Sequence, residues 1–338
     1  MATRDFRGEV WTNVHPEVLK AMTKVNDEVV DGGCGEDSHS KRAAEMIQGY
    51  FKDKIYTTYA ISGTAANILA LKCMLDSWST VLCSEQAHIN NYECGALEYN
   101  LGNKILAIKT DDGKLTPEIV DRLILKHKKY KYIPKVIAIT QPTEFGTLYS
   151  VKELKTLCDY AHKKGLYVFI DGARIANALA ALNVTLKEMI EDTDVDAFTI
   201  GGTKAGAMFG EMVVLRRKEF ANNLYYVQKQ SMQHLDKSKF LGVQFECLFE
   251  SGLWIENAVK ANAAAKTLAK RLQEKGVKLY YPVETNMVFC VLTEDRLDNI
   301  VKVYDLHYWD VFEKVVRIAT TYVTDEKTID NLVSLIKV

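Results

Sequence analysis

The stretch Ala197-Phe198-Thr199-Ile200-Gly201-Gly202-Thr203-Lys204 decides how this 338-residue chain is interpreted. Its first four residues are apolar or β-branched, which is typical of a buried strand. An ammonium group just past the end of such a strand is poorly solvated, so Lys204 should lose its proton more easily than an exposed lysine. A neutral amine is a nucleophile that forms a Schiff base with an aldehyde. The alternative is a surface lysine in a turn. The motif Gly-Gly-Thr-Lys taken alone would favour this alternative over a Schiff-base lysine.

The chain around this stretch predicts an α/β fold. Between residues 55 and 216, β-rich runs alternate with helical patterns such as residues 151–164. This alternation favours a mostly parallel sheet sandwiched by helices, with ligands bound beyond the carboxyl ends of the strands. The predicted strands are Thr80–Cys83, Ile105–Ile108, Val136–Ile139, Tyr167–Ile170, Ala197–Ile200 and Met212–Leu215.

The last hundred residues predict a small α+β domain. Residues 240–275 have the pattern of one long helix, and a final helix is expected from about Asp325. We therefore divide the chain into a large domain, residues 1–240 with an N-terminal arm at 1–45, and a small domain, residues 241–338. The strands expected in the small domain are Val277–Tyr280, Met287–Val291 and Val315–Ile318.

Composition narrows the function classes. The formal net charge of -1 gives no reason to expect nucleic acid or an anionic membrane as a partner. Seven cysteines occur without a CxxC pair, so neither a disulfide framework nor a zinc site is predicted, and no metal is expected. The N-terminus lacks the apolar core of a signal peptide, and no run is long enough to span a bilayer. We expect a cytoplasmic, soluble protein.

Three further motifs follow predicted strands. Ser62-Gly63-Thr64-Ala65-Ala66-Asn67 opens a helix with small and hydroxyl residues, which suits a phosphate monoester as well as an ordinary N-cap. Asp171 ends an apolar strand in Ile170-Asp171-Gly172-Ala173-Arg174, where a carboxylate needs a cationic partner such as a protonated pyridine nitrogen or Arg174. His88 follows another strand, and a lone histidine is more often structural than catalytic. Because these groups meet Lys204 at one edge of the predicted sheet, together they describe a pyridoxal phosphate site.

With these motifs the chain resembles the pyridoxal-phosphate threonine aldolases, which belong to the β-eliminating lyase group and have the fold type I of the aminotransferases. The resemblance is greatest to the bacterial low-specificity L-threonine aldolases and extends over nearly the whole chain. The matching stretches are Gly35-Glu36-Asp37, Ser62 to Asn67, Glu85-Gln86-Ala87-His88, Thr140 to Thr147, Asp171 to Arg174 and Gly201 to Lys204.

The resemblance implies a role for each matching residue. His88 stacks on the cofactor ring, Asp171 pairs with the ring nitrogen and Lys204 is the Schiff-base lysine. Arg174 and Arg317 match positions that bind the substrate carboxylate, for which a guanidinium is well shaped. The implied cofactor-binding residues are Ser62, Gly63, Thr64, His88, Asp171, Arg174, Thr203, Lys204 and Lys239. Lys239 corresponds to an arginine that reaches the phosphate of a neighbouring subunit in relatives, which implies a homo-oligomer, at least a dimer and commonly a tetramer.

The implied reaction is retro-aldol cleavage of L-threonine, L-allo-threonine or a related β-hydroxy-α-amino acid to glycine and an aldehyde. His88, a phosphate-bound water or Glu144 are candidates for the catalytic base. The chain departs from relatives at Gly8, where they carry a serine, and at Cys34, where they carry a tyrosine. These departures indicate either drift within the branch or a changed substrate.

Two other functions stay open. One is a different pyridoxal-phosphate lyase that eliminates a β-substituent from an amino acid, and only Gly8, Cys34, Glu144 and the pocket around Tyr92 would separate it from an aldolase. The other is a non-catalytic amino-acid-binding relative. The presence of Lys204 and Asp171 argues against it, because a binding protein has no need of a desolvated lysine.

Overall fold

A seven-stranded sheet forms the centre of the protein in a computed structural model, which describes residues 2–29 and 31–336. The strand order is β1-β7-β6-β5-β4-β2-β3, and only β7 runs against the others. This arrangement confirms the predicted mostly parallel sheet, and each predicted strand is present. The strands are β1 Tyr56–Ala60, β2 Ser79–Ser84, β3 Lys104–Ile108, β4 Ile133–Thr140, β5 Tyr167–Asp171, β6 Ala197–Gly201 and β7 Glu211–Leu215.

Helices cover both faces of this sheet. Alternate residues of one strand contribute to different apolar cores: Val168 and Ile170 pack into one core, and Phe169 packs into the other. Burial on both faces explains why β2, β6 and β7 are buried at every position. The helices of this part are α1 Pro16–Asn26, α2 Ser38–Gln48, α3 Gly63–Met74, α4 His88–Asn91, α5 Ala96–Leu101, α6 Pro117–His127, α7 Val151–Lys163, α8 Ile175–Leu182, α9 Lys218–Ala221 and α10 Leu224–Gln230.

A second, three-stranded antiparallel sheet lies in the C-terminal part, in the order β8-β10-β9. Its strands β8 and β10 confirm two of the predicted strands. The elements are α11 Lys239–Glu250, α12 Leu253–Glu274, β8 Met287–Val291, α13 Glu294–Ile300, β9 His307–Asp310, β10 Val315–Ala319 and α14 Glu326–Ser334.

Three details differ from the sequence prediction. The expected single helix over 240–275 is two helices, because Gly252 has a φ of 67°, in the left-handed region, and ends the helical path. The expected strand at Val277–Tyr280 is wrong: this segment forms a single bridge, Leu279 to Cys290, and Pro282 soon after it has no N–H to continue pairing. Strand β9 was not predicted, because its residues His-Tyr-Trp-Asp show no apolar alternation.

The first residues of the chain pack against the C-terminal part. Phe6 is fully buried in the core that also contains Leu268 and Val316, and Thr3 pairs with Tyr304. Along α12, residues up to Ala258 belong to the core of the large sheet, and residues from 264 onward belong to this second core. The domain boundary at 240/241 stays a prediction. Across residues 2–29 and 31–336, every helix is too short or too polar to cross a membrane.

Candidate active site

A cavity of about 250 Å³ lies between the large sheet and β9 and β10 of the small one. It opens at the edge of the large sheet where β2, β5 and β6 end, since parallel strands have their carboxyl ends at the same edge. Gly8 and Tyr92 line this cavity, and so do five residues with a predicted role: His88, Glu144, Arg174, Lys204 and Arg317. They come from five separate segments of the chain, which the fold brings together.

Lys204 lies in a short 3-10 turn, Thr203–Ala205, directly after β6. The end of β6, just before this turn, packs closely on the loop after β5: a Cβ atom on Gly201 would overlap with the carbonyl oxygen of Ala173. Burial, followed by repulsion from Arg174, lowers the pKa of Lys204. A larger share of this amine is therefore unprotonated and nucleophilic at neutral pH.

Glu211 is a buried acid beside Lys204 that the sequence reasoning missed. It starts β7 at the edge where β6 ends, and it accepts a hydrogen bond from the Gly202 N–H at 3.1 Å. Burial raises its pKa to about 7, although the charge of Lys204 and a hydrogen bond from Thr203 oppose this rise. The available signal was a carboxylate at the start of an otherwise apolar strand.

Asp171 ends β5 and belongs to a buried hydrogen-bond network. The Asn67 side-chain amide donates to Asp171 at 2.9 Å and to Glu93 at 2.8 Å, and Glu93 contacts His88 Nδ1 at 2.8 Å. One ring nitrogen of His88 and one carboxylate oxygen each of Glu93 and Asp171 all lie within 4.8 Å of one another. Two buried carboxylates this close require positive charge nearby, and a protonated ring nitrogen would supply it. Asn67 and Glu93 are members of this network that the sequence reasoning did not assign.

Glu144 fixes the backbone position of His88. Its Oε1 atom accepts the His88 N–H at 2.7 Å and the Thr140 hydroxyl at 2.7 Å. Burial raises the pKa of the Glu144 carboxyl above its usual range. His88 thus has its ring held at Nδ1 by Glu93 and its backbone held by Glu144, which leaves its Nε2 atom free of both contacts.

Arg174 is already paired within the chain. Its Nε and terminal nitrogen both donate to the Glu9 carboxylate, the second at 2.9 Å, and Asn286 donates to the same carboxylate at 2.7 Å. Burial opposes ionisation of Glu9, but the charge and hydrogen bonds of Arg174 outweigh it and hold the pKa of this carboxyl well below its usual range. Glu9 follows Gly8 in the sequence, and no role for it and no pairing with Arg174 was predicted.

Arg317 has no acidic partner among the described residues. Its one hydrogen bond goes from a terminal nitrogen to the Arg7 carbonyl at 3.2 Å, and its buried Nε atom has no acceptor. Burial, followed by repulsion from Arg174, lowers the pKa of Arg317 to about 10. A largely desolvated guanidinium that lines a cavity and has no acidic partner among the described residues can bind an anion there.

Aromatic side chains close one side of the cavity. The Tyr92 ring stacks on His88 at 5.5 Å and on Trp309 at 6.4 Å between ring centroids. Next to Trp309 on β9 lies His307, where burial, followed by the charge of Arg317, lowers the pKa to about 4. Trp309 and His307 were missed because β9 was missed.

The remaining predicted residues do not line this cavity. Ser62 caps α3 by accepting the Ala65 N–H at 3.3 Å, and the space around Gly63 is open, so the start of α3 is accessible to an anion. Lys239 donates to the Val25 carbonyl at 3.0 Å within its own chain. Cys34 contacts Asp236 at 3.5 Å, away from the cavity. Phosphate binding by Ser62, Gly63, Thr64, Thr203 and Lys239 stays a prediction.

Comparison with known proteins places this chain in a family. The model of the beta-eliminating lyase family matches residues 5–295, so the chain belongs to that family. Among curated proteins, the low specificity L-threonine aldolase of Pseudomonas sp. (strain NCIMB 10558) is 35% identical over 301 residues, which cover 88% of this chain and 87% of that protein. The low specificity L-threonine aldolase of Saccharomyces cerevisiae is 25% identical over 320 residues, covering 88% and 76%.

Solved structures agree with this assignment. The threonine aldolase of Leishmania major is 29% identical, with a TM-score of 0.93 and coverage of 98% of both chains. A putative L-allo-threonine aldolase of Listeria monocytogenes, 18% identical, has the same fold, with a TM-score of 0.78 and coverage of 99% and 96%. The resemblance drawn from the motifs and the fold type I assignment are confirmed, and the protein is a lyase.

Proposed function

We propose that this lyase is a pyridoxal-phosphate-dependent aldolase that cleaves L-threonine and L-allo-threonine to glycine and acetaldehyde. One observation carries the proposal: Arg317, a guanidinium without an acidic partner, lines the same cavity as Lys204, an amine with a lowered pKa. The first suits the carboxylate of an amino acid, and the second suits an aldehyde. An aldolase of this kind needs both groups in one cavity.

The residues present fit pyridoxal phosphate. Lys204 would bind its aldehyde, Asp171 would keep the ring nitrogen protonated, and the start of α3 at Ser62 to Thr64 would hold the phosphate. Two buried oxygens of the Asp171–Asn67–Glu93 network, Asn67 Oδ1 and Glu93 Oε2, have no partner among the described residues, and the network concentrates negative charge where a cationic ring would offset it. When bound, the cofactor supplies the aldehyde that captures an amine and the ring that takes up the electron pair of the broken Cα–Cβ bond.

Arg317 would bind the substrate carboxylate. Arg174 is held by Glu9 and would orient this end of the cavity, since its own charge is already offset. Burial, followed by the charge of Arg174, lowers the pKa of Arg317, and an incoming carboxylate would offset both effects. The substrate side chain would lie toward Tyr92 and Trp309.

His88 would take the proton from the substrate β-hydroxyl. Glu93 accepts from Nδ1, so the neutral ring carries its proton there and leaves Nε2 as the acceptor. Glu144 would act as a positioning residue, because its Oε1 atom is occupied by the His88 backbone and by Thr140. General base catalysis of this kind contributes roughly 10²–10⁴-fold to the rate.

Two assays test the proposal. Purified protein with pyridoxal phosphate should absorb in the visible range, and borohydride should fix the cofactor to the peptide that contains Lys204. The Lys204→Ala variant is the control and should lose both signals. Acetaldehyde and glycine should then be released from L-allo-threonine and L-threonine. An absence of colour would refute the cofactor, and colour without acetaldehyde would refute the aldolase in favour of β-elimination.

We also propose a homo-oligomer in which Lys239 reaches the phosphate of a neighbouring subunit, and a cytoplasmic location. Lys239 lies at the start of α11, is buried and donates to the Val25 carbonyl of its own chain, so this hydrogen bond would have to break for Lys239 to reach a neighbouring subunit. All seven cysteines are free thiols, which suits a reducing compartment. Light scattering of the purified protein tests the oligomer, and a monomeric mass with full activity would refute the shared site.

A further inference from the structure

His307 lines the cavity beside Arg317, and the proposed function gives it no role. The two residues are direct partners in the antiparallel pairing of β9 with β10. Side chains of directly opposed residues lie on the same face of a sheet, with Cβ atoms about 4.5–5.5 Å apart. His307 and Arg317 therefore form one wall of the cavity together.

The imidazole of His307 is not committed to a partner. Within the part of the chain that the structure describes, no hydrogen bond or ion pair engages either ring nitrogen. His88, at the same cavity, differs in this respect, because Glu93 holds its Nδ1 atom at 2.8 Å. The His307 ring packs beside Trp309, at 6.3 Å between ring centroids, and this contact leaves its nitrogens free for a ligand.

The charges around His307 keep it neutral. Arg317 and Arg7 line the same cavity, and Arg7 is already paired with Asp305. Burial, followed by the charges of Arg317 and Arg7, lowers the pKa of His307 to about 4. At neutral pH the ring thus carries one N–H donor and one acceptor nitrogen. Such a ring can donate a hydrogen bond to an anion without adding another cation that Arg317 would repel.

An anion at Arg317 would have room and acceptor capacity for a second donor. Arg317 gives one hydrogen bond, to the Arg7 carbonyl, so most of its guanidinium is unoccupied. Gly8 has no side chain, and a Cβ atom there would lie 3.7 Å from a terminal nitrogen of Arg317. A carboxylate has about four lone-pair sites, and a guanidinium fork uses two of them. His307 carries a free N–H on the same face as this guanidinium.

We propose that His307 binds the substrate carboxylate together with Arg317, by donating its N–H to a carboxylate oxygen. The inference rests on the proposed function, which brings an amino acid into this cavity. No covalent bond forms or breaks in this step, and the proton of the β-hydroxyl still goes to His88. One pair of strands, β9 and β10, thus supplies both groups that recognise the carboxylate.

Equilibrium titrations of the holoenzyme with two small amines test this inference. Glycine carries a carboxylate, and methylamine is the same amine without it. Both amines combine with the aldehyde of the bound cofactor and change its visible absorption, so each titration gives a Kd without turnover. His307→Phe keeps a ring beside Trp309 but has no donor. It should raise the Kd for glycine by about 10–100-fold, the usual effect of losing a hydrogen bond to a charged group, and leave the Kd for methylamine unchanged.

Three further variants define the role of the N–H. His307→Gln keeps a neutral N–H donor and should raise the Kd for glycine much less than His307→Phe does. Arg317→Met removes the guanidinium and should repeat the pattern of His307→Phe, with weaker glycine and unchanged methylamine. Tyr308→Phe is the matched control on the same strand. Tyr308 pairs with Val316 and lines a separate surface pocket, so this variant should change neither Kd.

Three results would overturn the inference. The first is an unchanged Kd for glycine in His307→Phe. The second is an equal rise for glycine and methylamine, which would mean that His307 only supports the shape of the site. The third is an equal effect of His307→Gln and His307→Phe, which would mean that the ligand does not sense the N–H.

Failure of the proposed function gives a different result. If the protein does not bind pyridoxal phosphate, neither amine changes the absorption of any variant, including the wild type. If the cofactor binds but L-allo-threonine and L-threonine release no acetaldehyde, the aldolase is refuted, and the titrations with glycine and methylamine still decide the role of His307.

Discussion

Replacing Arg317 by methionine should stabilise the ligand-free protein while it removes substrate binding. Burial, followed by the charge of Arg174, lowers the pKa of this guanidinium well below its ordinary value, to about 10, and one pKa unit corresponds to about 1.4 kcal/mol. The charged form therefore destabilises the fold by about 3 kcal/mol. Methionine removes that cost but also the hydrogen bond to the Arg7 carbonyl, worth about 1 kcal/mol, so the expected net gain is about 2 kcal/mol.

Arg174→Met is the matched comparison, and it should destabilise the ligand-free protein. It removes the partner of the buried Glu9 carboxylate, and breaking a buried ion pair costs about 3–5 kcal/mol. With an unfolding entropy of about 2.1 cal/mol/K per residue, 1 kcal/mol shifts the Tm of a chain this long by about 1.4 °C. Arg317→Met should therefore raise the Tm of the cofactor-free protein by about 3 °C, and Arg174→Met should lower it by about 4–7 °C.

The kinetic arm of the same experiment concerns the substrate carboxylate. Arg317→Met should raise KM for L-allo-threonine by about 30-fold or more, because a charge-assisted, desolvated hydrogen-bond pair is worth about 2–5 kcal/mol and each 1.4 kcal/mol is about tenfold. Calorimetry of the cofactor-free variants and initial rates of the reconstituted enzymes measure the two arms. A lower Tm for Arg317→Met, or a KM within tenfold of the wild type, would refute the interpretation that Arg317 is an unpaired charge that binds the substrate carboxylate.

Three further predictions follow from residues around the cavity. Gly8→Ser should lower KM severalfold with little change in kcat, because the extended backbone of Gly8 accepts any residue and a Cβ atom there would lie 3.7 Å from an Arg317 nitrogen. The control Gly8→Ala lacks the hydroxyl and should leave KM unchanged. Equal effects of the two variants would count against a contact between the serine hydroxyl and the substrate. His88→Phe keeps a stacking ring but has no base, and it should lower kcat by about 10²–10⁴-fold. Glu144→Gln should lower kcat by less than about tenfold. If Glu144→Gln had the larger effect, Glu144 would be the base. Burial raises the folded-state pKa of Glu211 from 4.5 to about 7, so its contribution to stability is present below pH 4.5 and is lost as the pH rises to 7. In thermal unfolding, Glu211→Gln should therefore become more stable relative to the wild type from pH 5 to pH 8. A constant difference in stability across that range would show that Glu211 does not titrate there.

Sequence patterns predicted the strands of the large sheet well and the small domain less well. The strands β2, β4, β5 and β6 are buried on both faces, so each is a continuous apolar run that any pattern analysis finds. Strand β9 lies at the edge of the small sheet and lines the cavity with His307 and Trp309, and its His-Tyr-Trp-Asp sequence has no apolar alternation that a pattern analysis would find. The break between α11 and α12 depended on the left-handed conformation of Gly252, which a run of helix-forming residues on either side concealed.

What the sequence determined by itself was the chemistry at the strand ends. Lys204, Asp171 and His88 each follow a local apolar run, and a parallel sheet places all such ends at one edge, so their convergence followed from the fold class alone. Only the tertiary structure decided which charges pair. Glu9 neutralises Arg174 and leaves Arg317 free, and His307 lines the same cavity as Lys204, because positions 9, 174, 204, 307 and 317 come from segments whose docking no local pattern encodes.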